Sequence, residues 1–387
     1  MPRISLRVWD ALASLKLTIA CLALLMVLVV ACTLAEVRLG TFAAVNAYIR
    51  SFFIYWNVAG TGWSIPVFPG GGLVGLVLTA NLVVAQVNRL EMSMRKLGLW
   101  IVHLGLILLF AGEFVTSAFQ VETQLAIEQG HTLDFVESPR EIELAVVDTT
   151  DADHDDVYAI PESLMVPGKF VEVPGTPLFI RVKAFLRNAQ LGMREASDPP
   201  SPATAGIGPA VAVREVAPVT QDDEIDRRAV FIEPFAGPKG YGTWLVSNVF
   251  RSSQSFVHEG RTYALSLRNR REYLPFAMTL KEFRHDVYPG TDIPKNFSSL
   301  VHLSRGSTGE ERDALISMNQ PLRYAGKAFY QESFGKNDTL SILQVVENPG
   351  WLLPYASCVL VAAGLVIHFA LSLRRSFLRR RVALESP

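Results

Sequence analysis

Cysteine is scarce in this sequence, and its placement excludes two kinds of chemistry. The three cysteines, Cys21, Cys32 and Cys358, all lie inside apolar segments, and residues 120–350 contain none. That long region therefore has neither a structural disulfide nor a CxxC redox pair. We interpret the three cysteines as small buried apolar residues.

An excess of one charge is also missing. The formal net charge is -1 and only 19% of the residues are charged. Nucleic acid is therefore excluded as a partner, because duplex binding needs a concentrated basic face. The sequence also lacks a P-loop, a G-x-S-x-G elbow and an H-E-x-x-H motif, so no common hydrolase or nucleotide-binding site is indicated.

What the sequence has instead is long apolar runs. Four blocks of about 19 to 23 residues are each long enough to cross a bilayer as a helix. We predict membrane spans over residues 17–35, 70–88, 97–119 and 351–373. Cys32, Thr33 and Leu34 make a poor cleavage site, so the first block is predicted to be a retained span rather than a signal peptide.

Basic residues predict the orientation of these spans. Three basic clusters fall on one side of the membrane if every block spans it, and that side is predicted to be cytoplasmic. The clusters lie in residues 1–16, 89–96 and 374–387. Residues 36–69 and 120–350 then lie outside the cytoplasm.

The two external regions have different patterns. Phe42 to Trp56 is amphipathic and aromatic, which predicts a helix lying on the outer leaflet. Residues 120–350 contain many short β-type runs separated by turn residues, which is typical of an antiparallel sandwich or barrel. Asp198 to Pro209 is rich in proline and small residues and predicts a mobile loop. The predicted fold is a bundle of four transmembrane helices plus a large extracytoplasmic, mostly-β domain.

Ionisable residues within spans are costly and are therefore functional candidates. There are three: His103, Glu113 and His368. Counted from Lys96 and Arg374, the two histidines lie roughly 10 Å and 9 Å from the cytoplasmic edge. Two neutral imidazoles at one depth on different helices are suited to ligating one metal, and in lipid haem iron is the plausible one.

Two alternatives to this shared site stay open. Each histidine forms a hydrogen bond to a neighbouring helix, as polar residues commonly do in membrane bundles. Otherwise, each ligates haem together with a histidine from a partner protein. The sequence alone does not decide among the three.

Several motifs resemble the ResB-type (CcsB-type) cytochrome c biogenesis proteins. The plan of three spans, a large outer β domain and a fourth span resembles that family over nearly the full length. The resemblance is most specific in Leu274–Thr279 (LPFAMT), Tyr288–Ser299 (YPGTDIPKNFSS), Met318–Phe334 (MNQPLRYAGKAFYQESF) and Asn348–Gly350 (NPG). The run HLGLILLFAG from His103 resembles the family's histidine-bearing span, which implies that His103 is a haem ligand.

The resemblance also implies a function and partners. Such proteins pair with a ResC/CcsA-type haem-handling membrane protein, and the pair brings haem b across the bacterial cytoplasmic membrane to the CxxCH thiols of apocytochrome c. The family's tryptophan-rich haem-presenting motif belongs to that partner, and the six tryptophans here are isolated. Thioether formation is therefore expected in the partner, and the chain is expected to be too short for a fusion of the two.

A rival interpretation is a membrane-anchored binding or sensory protein without haem chemistry. It explains the large outer domain, but it explains neither the membrane histidines nor the four-span framework. In the haem-handling interpretation, the β domain is expected to hold an extended apocytochrome segment by edge pairing or in a groove.

Overall fold

The computed structural model describes residues 9–57, 63–89, 93–219, 225–291, 294–336 and 338–385. The chain divides into two compact units. The helical unit contains residues 1–121 and 347–387, and the β-rich unit contains Glu122–Val219 and Asp223–Val346.

Four long helices form the helical unit within the described residues. They are α1 Leu15–Leu39, α2 Gly71–Arg89, α3 Leu97–Phe119 and α4 Leu353–Glu385. Each contains a stretch that is long and apolar enough to cross a membrane. Most of their apolar side chains are exposed, as expected when lipid rather than protein surrounds a helix. The four predicted membrane helices are confirmed, and the chain is membrane-anchored.

The helices pack as two pairs. Cys21 and Leu28 of α1 are buried against Val74 and Leu78 of α2. Helices α3 and α4 approach more closely, through glycines described below. All three cysteines are free thiols.

The segment between α1 and α2 differs from the predicted helix over Phe42–Trp56. A short α-helix, Thr41–Ala44, continues as a π-helix, Val45–Arg50, and the helical part ends there. Strands β1 Phe53–Asn57 and β2 Ser64–Pro69 then pair antiparallel. The aromatic and β-branched residues of both runs favour a strand, and a second apolar run provides the pairing partner.

The β-rich unit is built from antiparallel strands. Its strands are β3 Val121–Glu128, β4 Thr132–Asp148, β5 Asp156–Pro161, β6 Phe170–Glu172, β7 Leu178–Leu186, β8 Ala189–Met193, β9 Val211–Glu215, β10 Ala229–Ala236, β11 Lys239–Gly240, β12 Trp244–Ser247, β13 Gln254–His258, β14 Arg261–Val287, β15 Pro294–Arg305, β16 Glu310–Ser317, β17 Leu322–Tyr324, β18 Lys327–Gly335 and β19 Leu340–Glu347. Two short 3-10 helices, Glu162–Leu164 and Gly208–Ala210, lie between the described strands.

The largest sheet curls toward a barrel. Its strand order is β16-β15-β14-β4-β3-β19-β18-β17, with β13 beside β14 and β5 beside β4. The two ends of this path meet, because β16 lies next to β17 and β18, and Tyr324 donates a hydrogen bond of 2.8 Å to Glu310. Apolar residues from most of these strands fill the interior, including fully buried Phe329, Met278 and Leu343.

A second sheet makes a sandwich with the other end of the same strands. Its order is β11-β10-β7-β6, with β12 beside β10. It packs on the first part of β14 and the second part of β4, which supply Tyr263, Leu265 and Leu144 to a separate core. The unit therefore contains both a sandwich and a nearly closed barrel, which confirms the predicted mostly-β class. Strands β4 and β14 run through both.

The predicted mobile loop over Asp198–Pro209 is instead well packed. The amide of Ala205 donates to the Thr243 carbonyl at 3.0 Å, and the amide of Ile207 donates to Gln254 at 2.9 Å. A Cβ at Gly208 would lie 2.4 Å from Ala203, so the backbone there is packed too tightly for a side chain. The proline and small residues of this segment predicted mobility, but these backbone hydrogen bonds fix it.

Candidate functional site

His103 lies on α3, on the face that looks toward α1 and α2. Its Nδ1 is 2.8 Å from the carbonyl oxygen of Leu99, one helical turn earlier. A carbonyl only accepts, so Nδ1 carries a proton, and in the neutral imidazole the free lone pair is then on Nε2. Histidines that ligate metals usually donate their other ring N–H in this way.

A cavity of about 400 Å³ opens beside this imidazole within the helical unit. Most of its lining is apolar and comes from three helices, with Leu22 on α1, Leu78 on α2 and Phe110 on α3 among the contributors. Polar groups in the lining form hydrogen bonds within the protein. Thr18 donates to Asn81 across α1 and α2 at 2.6 Å.

Gln86, also in the cavity wall, has one polar atom without a hydrogen-bond partner among the described residues. Its Nε2 donates to the carbonyl of Trp100 at 3.3 Å. Its Oε1 is buried and has no hydrogen-bond partner within the described part of the chain. A buried acceptor without a partner is costly, so a donor on a bound molecule or a water would stabilise this site.

His368 lies on α4 at its contact with α3. A Cβ added to Gly98 would be 2.5 Å from the backbone nitrogen of His368 and 2.6 Å from the carbonyl of Gly364. Only a glycine permits this approach of two helix backbones. The Nδ1 of His368 is buried and finds no hydrogen-bond partner among the described residues.

The structure does not bring the two histidines together. His368 is level with Gly98, and His103 is five residues farther along α3, a displacement of about 7.5 Å along the helix and about 140° around it. Gly98, Gly105 and Gly112 are buried, and all three face α4. His103 therefore faces away from α4.

The equal depth predicted for His103 and His368 is thus wrong, and the flanking charges explain the error. Lys96 and Arg374 are not at the same level, because His368 lies beside Gly98, and Arg374 is six residues past His368 whereas Lys96 is only two residues before Gly98. The long side chain of Arg375 reaches back to donate to the carbonyl of Arg95 at 3.0 Å. Because a side chain of this length can reach back along the helix, the sequence position of a basic residue does not fix its depth in the membrane. Glu113, the third ionisable residue, is exposed.

The β-rich unit holds buried polar groups that the sequence did not single out. Inside the barrel, the Ser299 hydroxyl is 2.6 Å from Gln331 and 2.7 Å from the Ser341 hydroxyl. In the sandwich, the Tyr241 hydroxyl is 2.5 Å from Nδ1 of His258. Alternation places Ser299 and Ser341 on the inner face, but their mutual contact depends on sheet curvature. No group of three or more metal-ligating side chains occurs in the described ranges.

The most distinctive sequence motif, Met318–Phe334, forms one edge of the barrel. It contains the β17–β18 hairpin, whose turn residues Ala325 and Gly326 have positive φ. Lys327 is buried there and pairs with Glu272 at 2.8 Å. The motif's constraints are those of a tight turn, a buried ion pair and the core residue Phe329.

Two comparisons with known proteins found similar sequences. Residues 241–342 match the model of the ResB-like family. A stretch of 93 residues is 33% identical to Protein NrfI of Wolinella succinogenes, which is 24% of this chain and 10% of that protein.

Residues 241–342 are therefore ResB-like in sequence.

The ResB-like match covers β12 to β19, and so includes most of the barrel and the β13–β14 hairpin of the sandwich. It includes neither His103 nor His368, which lie in the helical unit. The aligned stretch covers about a tenth of the length of Protein NrfI. The family match therefore concerns part of the β-rich unit and assigns no role to the membrane histidines.

Proposed function

We propose that this chain acts in cytochrome c biogenesis by holding haem within the membrane as cargo, with His103 as an axial ligand. The ResB-like match and the similarity to Protein NrfI support cytochrome c biogenesis in general. The environment of His103 is the observation that carries the specific step. The chain is proposed to lie in a bacterial cytoplasmic membrane, with its β-rich unit on the outer side, because of its basic clusters.

The residues around His103 fit haem chemically. The Nδ1–H of His103 is bound to the Leu99 carbonyl, so Nε2 is free to ligate. The cavity beside it is mainly apolar, as a macrocycle requires, and lies among helices that contact lipid. When bound, haem would supply an iron that takes a neutral imidazole on each face. This chain's residues would hold one imidazole in position and keep water from that face.

A second axial ligand must then come from outside this cavity. His368 is on a different face, so it does not complete the pair with His103 in one chain. We place the second ligand on a haem-handling membrane partner of the ResC/CcsA type. His368, with its buried and unpartnered Nδ1, is proposed to offer one imidazole to haem on the α3–α4 side in the same way.

Covalent attachment to the CxxCH thiols of apocytochrome c is assigned to the partner. The described residues of the β-rich unit include no cysteine and no group of metal-ligating side chains. The role of this chain is to bind, orient and hand over the haem.

Reduced visible spectra of the purified chain and its partner complex test the proposal. His103→Gly should lose haem or convert it from low to high spin, because one coordination position opens. Free imidazole should restore the low-spin bands, since it fits the vacated space, and this rescue separates a ligand from a residue needed only for folding. Glu113→Gln is the matched control, because Glu113 is an exposed ionisable residue on the same helix.

The two histidines give separable outcomes. Loss of haem in His103→Gly alone would assign His103 and leave His368 with a packing role. Loss in both variants would support two haem positions on one chain. Normal low-spin haem in both variants, or no haem in the parent complex, would refute a membrane haem site in this chain.

A further inference from the structure

A second cavity lies in the β-rich unit, far along the sequence from either histidine. Its volume is about 770 Å³, and it is formed by the β8–β9 hairpin, β10 and the segment that follows β8. Leu191, Val213 and Phe231 give it an apolar floor, continuous with a small buried core. Cavities of this size with an apolar floor and a few polar groups at the rim are typical of ligand sites.

Strand β8 presents an open edge beside this cavity. In the β8–β9 pair, the amide of Val216 donates to Asn188 and the amide of Arg194 donates to Ala210, both at short distance. Bonded pairs alternate along an antiparallel ladder. The peptide groups of Leu191 and Met193 therefore point away from β9, and they make no hydrogen bond within the described residues. The Met193 side chain is 85% exposed.

Gly192, between these two residues, has no structural reason to be glycine. Its φ is not in the left-handed region, and a Cβ built on it would meet nothing within 4 Å. A glycine inside a strand costs stability, and it often marks a place where another backbone approaches closely. Gly192 is also one of the residues that line the cavity.

The opposite wall of the cavity is not able to close the open edge. Pro199, Pro200 and Pro202 line it, and proline has no backbone N–H to donate to a strand. The edge is therefore left available for a guest. The charged groups in the lining are Glu195, Asp198 and Arg214, so two carboxylates face one guanidinium and a basic guest is favoured.

We propose that the open edge of β8 binds an extended polypeptide segment as an added strand, with an apolar side chain in the cavity and a basic residue at its rim. Leu191 and Met193 supply the backbone hydrogen bonds, and Gly192 allows the close approach. The inference rests on the proposed function, under which the segment belongs to apocytochrome c.

Fluorescence anisotropy on the full-length chain in detergent tests this site. The probe is a fluorescein-labelled basic peptide with the sequence around an apocytochrome CxxCH motif, its thiols alkylated. Gly192→Val should weaken binding about tenfold, the effect of losing one or two backbone hydrogen bonds. Gly306→Val is the matched control, because its Cβ also meets nothing within 4 Å in the same unit.

Two further peptides test the strand geometry directly. Each carries backbone N-methyl groups at every second residue, in opposite phase. Only one of the two N-methylated peptides should lose binding, because only alternate N–H groups of an added strand face β8. Equal binding of both phases, full binding by Gly192→Val or no binding of the unmodified peptide would overturn the proposal.

Cytochrome c formation in cells separates this site from the proposed function. If cells lacking the chain still make normal amounts of holocytochrome c, the proposed function is wrong. If they need the chain, and Gly192→Val supports them as well as Gly306→Val does, only the β8 site is wrong.

Discussion

Replacing Gly98 by alanine should separate α3 from α4. The added Cβ would lie 2.5 to 2.7 Å from backbone atoms of His368 and Gly364. Carbon atoms in contact are normally about 3.5 to 4.0 Å from their neighbours, so the helices must move apart by on the order of 1 Å. Backbone atoms cannot relieve the clash by a change of rotamer, as a side chain can.

The net cost can be worked from two opposing effects. Overpacking of this kind costs about 1 to 3 kcal/mol, while alanine in place of glycine favours a helix by at most about 1 kcal/mol. Within a membrane, van der Waals packing is a main source of helix association, so the separation itself also costs. We expect Gly98→Ala to lower the free energy of unfolding by about 1 to 2 kcal/mol.

Unfolding of the full-length chain in mixed micelles, followed by circular dichroism during an SDS titration, measures this difference. Gly75→Ala in α2 is the matched control, because its Cβ meets nothing within 4 Å, and it should be neutral or slightly stabilising. Gly105→Ala should fall between them, since its nearest contact at 2.7 Å is the Val361 side chain. If Gly98→Ala and Gly75→Ala unfold at the same SDS midpoint, the close α3–α4 contact does not exist.

Three other predictions concern the β-rich unit and the topology. Glu143→Gln should cost about 3 kcal/mol or more in thermal unfolding of that unit, because Glu143 and Arg268 form a buried pair at 2.9 Å. Glu141→Gln should cost under about 1 kcal/mol, because the Arg270–Glu141 pair is exposed, and equal effects would contradict the burial argument. Burial raises the pKa of Asp148, but hydrogen bonds from Thr150 and Arg261 outweigh it and leave the pKa lowered, so its stabilisation is present at neutral pH and lost as the pH falls through that lowered pKa. Asp148→Asn should accordingly be less stable than the parent at pH 7 and converge with it in acid, and a pH-independent difference would disprove the assignment. Reporter fusions after residue 92 and at the C-terminus should read cytoplasmic and fusions near residues 60 and 205 external, whereas a cytoplasmic signal at residue 205 would reverse the layout.

The helical spans were predictable because their cause is local. A membrane helix satisfies its own backbone, so length and hydropathy decide it without reference to the rest of the chain. Residues 97–119 were predicted as a span, and α3 has those bounds. The Phe53–Asn57 strand was missed because its partner, Ser64–Pro69, lies farther along the chain, and pairing is not visible in either run alone.

The choice between sandwich and barrel was not predictable, because the molecule uses both. Strand β14 runs from Arg261 to Val287, and its large buried residues alternate from Tyr263 to Leu267 and again from Leu274 to Leu280, with an irregular stretch between. Its register on β4 shifts within that stretch, between Asn269 and Arg271, where the strand leaves the sandwich core and enters the barrel core. Alternation reports which residues face inward, but it does not report which core they face.

The position of the candidate haem ligands depends on a contact between distant residues. The Nδ1–H of His103 follows from a hydrogen bond within one helix turn, and helical periodicity alone indicates the face on which the residue lies. Its level relative to His368 is set by Gly98 and Gly364, whose backbones meet across α3 and α4. A small change in that crossing point would move one histidine past the other, and nothing in either segment specifies it.

This geometry has a consequence for how haem would be passed on. A haem iron held by two imidazoles of one chain is released only when both bonds break. In this structure His103 and His368 face different sides of α3 and α4, so under the proposed function each would supply a single imidazole. Release of haem from this chain would then need only that one histidine–iron bond to break. A chain with both imidazoles in one cavity would instead be suited to storing haem.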